Sequence, residues 1–196
     1  MKIVVATWNE AKLEQIQKAF KSIPLKIIAL PNNVGDVEET APTFTGNAQL
    51  KTEAIKSNFP NDIIVGEDSG LIVDSLEGFP GVKTARFAPG NDADRARILI
   101  QKLAGVSLSN RTAAFESVVA VAFPDGEVLY SQGSMKGWIR ESVRSSLKGY
   151  GDIFLLSNEK TLSEHVSQNT TPFDHRQIAL FQAKQHILEW LGRATG

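Results

Sequence analysis

The stretch Ile63-Ile64-Val65-Gly66-Glu67-Asp68-Ser69-Gly70-Leu71-Ile72-Val73-Asp74 constrains the fold more than any other part of the chain. Its β-branched apolar run predicts a buried strand, and where that run stops two adjacent carboxylates, a hydroxyl and a glycine arrive together. Strand ends in α/β proteins open into the crevice where ligands bind, and glycine lets the backbone approach a ligand closely. Two readings stand at this point: a site at the end of the strand, or an acidic surface turn between two strands. Residues elsewhere in the chain decide between them.

Upstream, Lys2 to Ala6 predicts a strand, and Glu10 to Lys21 a helix with Leu13, Ile16, Ala19 and Phe20 on one face. Thr7 or Asn9 caps that helix, and Lys12 falls in its first turn, where a cation is unfavourable beside the positive end of the helix dipole unless an anion is present. Free N–H groups, a hydroxyl, an amide and a lysine make a phosphate cradle without the glycines of a Walker loop; a solvated lysine is the plainer alternative. Leu25 to Leu30 predicts a second strand, followed by a polar loop through Pro31, Asn32, Asn33 and Gly35. Pro42-Thr43 then opens a helix from Phe44 to Ser57. Phe44, Ala48, Lys51 and Ile55 share one of its faces, with Asn47 one turn before Lys51. A lysine on an apolar stripe either snorkels to water or points at an anionic ligand.

Downstream, Asp92 to Leu103 predicts a helix, and Arg111 to Phe123 and Glu127 to Ile139 two long strands joined by a hairpin turn at Pro124-Asp125-Gly126. This pair breaks the strand–helix alternation and predicts a mixed sheet. Ser145 to Gly151 reads as a loop, Asp152 to Leu156 as a short strand and Lys160 to Val166 as a short helix. A final helix runs from Asp174, a good cap, to Leu191, with Ile178, Phe181, Leu188 and Leu191 in its apolar stripe. His175 and Arg176 occupy its first turn, where either an anionic ligand or an acidic neighbour offsets the dipole.

Composition narrows the function classes. A chain of 196 residues with 42% hydrophobic content buries a good core in one domain. Its 21 basic and 22 acidic residues leave a net charge of −1, which gives no electrostatic footprint for nucleic acid or a membrane surface. The absence of cysteine excludes disulfides, thiolate zinc sites and a cysteine nucleophile. The apolar run at Met1 to Ala6 meets Trp8, Asn9 and Glu10 too soon for a signal sequence, and no other run approaches bilayer length. The expectation is a soluble cytoplasmic protein.

Three separated groups of residues occur together: Thr7-Trp8-Asn9-Glu10-Ala11-Lys12; Glu39-Thr40 with Phe44, Asn47-Ala48 and Lys51; and Asp68-Ser69-Gly70-Leu71 with Asp74, Pro80-Gly81 and Ala85-Arg86-Phe87. Together they resemble the inosine/xanthosine triphosphate pyrophosphatase family, over nearly the whole chain and most densely up to Phe87. The resemblance implies an α/β fold, an elongated mixed central β-sheet flanked by helices, with two lobes around a nucleotide-binding cleft in a single domain spanning residues 1–196. It also implies a homodimer, and hydrolysis of non-standard purine nucleoside triphosphates such as ITP, dITP and XTP to a monophosphate and pyrophosphate. Carried over residue by residue, it makes Glu39 and Asp68 the ligands of Mg²⁺, a hard cation suited to oxygen donors. Asp68 is also the proton acceptor, Lys51 stabilises charge on the phosphates, and the adjacent Glu67 helps through a hydrogen bond or by contacting a residue that itself touches the metal or substrate. Thr7, Trp8, Asn9, Lys12, Asn47, Ser69, Tyr150, Gly151, Asp152, His175 and Arg176 are the implied substrate contacts.

The second half departs from the family pattern. Where the family has a Gly-Phe-Gly-Tyr-Asp-Pro loop that reads the base, this chain has Gly149-Tyr150-Gly151-Asp152, two residues shorter, with Tyr150 as the remaining aromatic face. The family's lysine before its Ser-His-Arg motif falls at Thr170, and its serine at Asp174. Two rival functions follow: the same chemistry on a different base, or nucleotide binding without turnover. A phosphatase with an aspartate nucleophile is disfavoured, because the first strand ends in Thr7-Trp8-Asn9.

Overall fold

A computed structural model describes residues 1–31, 34–35, 37–142, 147–157, 159–170 and 174–194. The loop positions Asn32, Asn33, Ser145 and Ser146 lie outside the described residues. Six strands form one mixed sheet in the order β2-β1-β3-β4-β5-β6: β1 (Ile3–Val5), β2 (Ile27–Ala29), β3 (Ile63–Val73), β4 (Thr112–Ala122), β5 (Val128–Ile139) and β6 (Phe154–Leu155). β1 pairs in parallel with both β2 and β3, placing Val4 against Ile28 and Ile64, while β5 and β6 are antiparallel. Among the described residues five α-helices accompany them: α1 (Glu10–Phe20), α2 (Phe44–Lys56), α3 (Asp92–Lys102), α4 (Leu162–Ser167) and α5 (His175–Ala194). Among the described residues no helix is long and apolar enough to cross a membrane.

The contacts divide the chain into two compact units. The first comprises Met1–Ser69, Ser117–Gly133 and His175–Gly196. Period-2 alternation fills both faces of its strands: Ile3, Val5, Ile63 and Val65 pack with Ile16 and Phe20 of α1 and Ala179, Leu180 and Ala183 of α5, whereas Val4 and Ile64 pack with Ile55 of α2. The hairpin between β4 and β5 closes as expected, through a hydrogen bond from the Phe123 amide to the Glu127 carbonyl and Gly126 at φ +95°. The second unit comprises Gly70–Glu116 and Ser134–Asp174, with Leu71 and Val73 of β3 packed on Ala96, Leu99 and Leu103 of the α3 region and on Phe154. Asn91 and Asp94 form a capping box at the start of α3.

Three expectations need correction, and one open alternative is resolved. The apolar run at Ile63 does not stop where the acids arrive: β3 continues through Gly66, Glu67, Asp68 and Ser69 to Val73, so neither a strand end nor a surface turn describes the stretch. Both carboxylates are buried because helices and a neighbouring strand supply their counter-charges and donors. Asp152 to Leu156 is not all strand: Tyr150–Asp152 forms a single 3₁₀ turn, and only Phe154–Leu155 pairs. The buried stripe of α5 is Ala179, Leu180, Ala183, Ile187 and Trp190, whereas Phe181 is 59% exposed and Leu188 also faces outward. Two alanines mark the close-packed face, and of the expected stripe Leu191 packs against the same core. Of the two candidate caps for α1, Asn9 is the one that accepts from the Lys12 amide, at 3.1 Å.

Gly66 has a specific structural task. A Cβ there would lie 2.3 Å from the Ala48 carbonyl oxygen and 3.1 Å from Lys51 Cβ, so the absence of a side chain sets how closely α2 approaches β3. Gly66→Ala is expected to cost about 1–3 kcal/mol of stability through overpacking and to displace Lys51. Thermal and urea unfolding check the first effect, and turnover checks the second.

Candidate active site

Strand pleat determines the electrostatics of the site. Successive side chains of β3 point to opposite faces, so the adjacent carboxylates Glu67 and Asp68 look away from each other. On one face, with Gly66, Asp68 turns to α2. On the other, with Val65 and Ser69, Glu67 turns to α1, β4 and α5.

On the Asp68 face, α2 is capped by Thr43, whose hydroxyl accepts from the Gly46 amide. It presents Asn47 and Lys51 one turn apart beside the buried Ala48 and Ile55. Asn47 donates to Asp68 Oδ2 at 3.0 Å and accepts from the Ala41 amide at 2.9 Å, so its amide is fixed at both ends. Lys51 is 8% exposed. Its ammonium donates to the Glu67 carbonyl at 2.8 Å, pairs with Glu39 Oε1 at 2.5 Å and lies 3.7 Å from Asp68 Oδ1. Lys51 therefore does not snorkel to water; it lies between two carboxylates from different segments. Burial raises the Asp68 pKa, and the charge of Glu39 adds to the rise; Lys51 and the Asn47 hydrogen bond oppose it without cancelling it.

On the Glu67 face, Lys12 meets Glu67 Oε2 at 2.8 Å, and Arg176 Nε donates to Oε1 at 3.1 Å, as does the Ser117 hydroxyl at 2.8 Å. Arg176 also donates from Nη1 to Gln15 at 2.7 Å and from Nη2 to Ser69 Oγ at 2.8 Å. Burial alone would raise the Glu67 pKa, but Lys12 and Arg176, with hydrogen bonds from Lys12 and Ser117, hold it well below the usual carboxylate range. Neighbouring acids on one strand are thus pushed in opposite directions.

The remaining sequence-predicted residues lie as follows. Thr7 Oγ accepts from the Asn9 amide at 3.2 Å, so Thr7 and Asn9 shape the turn that starts α1, and Trp8 between them is 41% exposed. His175 is the first residue of α5, and a Cβ at Gly133 would come 1.9 Å from its carbonyl oxygen, so glycine in β5 admits that helix start. Tyr150, Gly151 and Asp152 belong to the second unit. Tyr150 is 7% exposed and donates to the Thr84 carbonyl at 2.7 Å, so its ring is packed in the core and not presented as a stacking face. Asp152 accepts from the amides of Lys148 and Gly149, and a Cβ at Gly151 would lie 2.8 Å from Ser163 Oγ. In the same unit, the Thr170 hydroxyl lies 2.9 Å from His165 Nδ1.

Sequence reasoning missed Gln15 and Ser117. Gln15 follows Lys12 by three residues, a spacing that puts both on one side of α1. Ser117 is a polar residue inside the apolar strand β4, fully buried, and its partner Glu67 is 50 residues away in the chain.

The donor set suits a hard divalent cation. Glu39 and Asp68 offer carboxylate oxygens that converge on one point already occupied by positive charge, the Lys51 ammonium. Among the described residues no group of three or more His, Cys, Asp or Glu could hold a metal by itself. A cation bound here would therefore keep water or substrate oxygens in its shell, as Mg²⁺ does.

Comparison with known proteins places this geometry in context. The sequence model described as the Ham1 family matches residues 3–186. A protein of Halalkalibacterium halodurans named "Non-canonical purine NTP pyrophosphatase homolog" is 42% identical over 190 residues, spanning 97% of each chain. A "dITP/XTP pyrophosphatase" of Leuconostoc mesenteroides is 39% identical over 200 residues, covering 97% of this chain and 98% of that one. The solved structure of a HAM1 protein from Coxiella burnetii superposes with a TM-score of 0.85 at 30% identity, over 96% of this chain and 99% of that one.

Proposed function

The chain belongs to the Ham1 family, and on that premise we propose that it is a Mg²⁺-dependent pyrophosphatase of non-standard purine nucleoside triphosphates, ITP, dITP and XTP among them. The products are the nucleoside monophosphate and pyrophosphate. One observation carries the reading: Glu39 and Asp68, from separate segments, converge on the buried Lys51 ammonium.

Each residue has a chemical part. Glu39 and Asp68 would hold Mg²⁺, which when bound neutralises phosphate charge. Asp68, its pKa raised by burial, takes a proton from water. Asn47 fixes the orientation of that carboxylate through its amide, and the Lys51 ammonium offsets negative charge developing on the phosphate oxygens. Lys12, Ser69, His175 and Arg176, with the turn Thr7-Trp8-Asn9, form the phosphate-holding side of the substrate site. We infer further that the protein works as a cytoplasmic homodimer; its mass in solution tests the assembly.

The test of function is a pyrophosphate-release assay with and without Mg²⁺ over ITP, dITP, XTP, ATP and GTP. Release is expected only with the metal, and kcat/KM for the non-standard purines should exceed that for ATP by roughly 10²-fold or more, at or above what an apolar pocket alone supplies. Tight binding without product release would instead support a binding protein, and equal rates on all five triphosphates would remove base selectivity from the proposal.

A further inference from the structure

We propose that Glu67 is a positioning residue for the triphosphate: its carboxylate holds Lys12 and Arg176, from two different helices, as a preformed cationic clamp. This rests on the reading of Lys12 and Arg176 as phosphate contacts given above.

The Glu67 side chain is wholly buried, whereas those of Lys12 and Arg176 are 18% and 16% exposed. An acid without solvent access cannot meet a ligand itself and acts through the cations it holds. Two cations around one carboxylate leave the cluster with an excess positive charge, and both cations keep partial access to solvent. The arrangement is also fixed from several sides. Arg176 is tied at Nε to Glu67, at Nη1 to Gln15 and at Nη2 to Ser69, while Ser117 of β4 pins Glu67 Oε1.

A role confined to stability accounts for this poorly. A buried ion pair contributes little compared with apolar packing of the same volume, and Lys12 stands in the first turn of α1, where the helix dipole opposes a cation. Glu67 compensates that placement. The ordering of two long side chains is thereby completed before the ligand arrives, which lowers the cost of binding. Asp68, Lys51 and Glu39 work on the opposite face of β3, and the atom of Glu67 that Lys51 contacts is its backbone carbonyl, which a side-chain substitution keeps.

The test is a split between KM and kcat in pyrophosphate release from ITP. Glu67→Gln, which keeps shape and removes charge, should raise KM about tenfold or more while kcat changes by less than about threefold. In a Lys12→Ala/Arg176→Ala background, the same substitution should move KM by less than about twofold, because its partners are gone. If Glu67→Gln fails to fold by thermal unfolding, Ser117→Ala loosens the same carboxylate and should raise KM about threefold at constant kcat. Unchanged or lowered KM in the folded Glu67→Gln protein, or in Ser117→Ala if that substitute is needed, overturns the proposal when Lys12→Ala and Arg176→Ala each raise KM. If those two cation variants leave KM unchanged, the phosphate-contact reading itself fails, and the positioning role falls with it.

Discussion

Asp68→Asn lowers kcat by roughly 10³-fold or more while the protein stays folded, because the substitution removes both a proton acceptor and a metal ligand. Asparagine keeps the side-chain volume and one oxygen to accept the Asn47 amide, whose bond to Asp68 Oδ2 is 3.0 Å. Burial disfavours the charge of Asp68, so neutralising it is expected to leave thermal stability unchanged or slightly higher. The measurement is steady-state turnover alongside thermal unfolding. A folded variant with near wild-type kcat contradicts the assignment, and an unfolded one shows that the carboxylate holds the core together instead.

Lys51→Met comes next in size. Methionine keeps the packing of the stem on the apolar face of α2 and removes the ammonium between Glu39 and Asp68. Loss of charge stabilisation at the phosphates should lower kcat by about 10²–10³-fold. Leaving the buried Asp68 and the half-buried Glu39 without their cation should also lower stability by about 3 kcal/mol. Added Mg²⁺ should then restore the melting temperature of the variant by more than it raises that of the wild type, because the metal takes over a counter-charge that the wild type already has. Thermal unfolding with and without Mg²⁺ checks this. An equal Mg²⁺ shift in both proteins would mean that Glu39 and Asp68 do not share a cation site.

The residues behind these two predictions were legible in the sequence for a physical reason. A lysine on the apolar stripe Phe44-Ala48-Lys51-Ile55 has to snorkel or meet an anion, which singles the position out, and the spacing of Asn47 puts an amide on the same face. The first strand, α1, α2 and the hairpin were equally readable, since each carries its own period and punctuation. The Glu67 cluster was only half readable. Lys12 and Arg176 stood out as cations in first turns, but the anion that balances both is a residue of β3, and such long-range pairing leaves no local signal. The opposite faces of Glu67 and Asp68 follow from period-2 geometry once the strand is known to continue, and the acids themselves obscured that continuation. The packing of Tyr150 leaves no local signal either: the core of the second unit takes its ring, and the Thr84 carbonyl accepts from its hydroxyl.

On the proposed function, water deprotonated at Asp68 attacks the α-phosphorus of a nucleoside triphosphate. Hydrolysis of ITP in ¹⁸O-labelled water, with both products analysed by mass spectrometry, tests it most directly. One labelled oxygen is expected in the monophosphate and none in the pyrophosphate. Label in the pyrophosphate, or release of inorganic phosphate in its place, would contradict it.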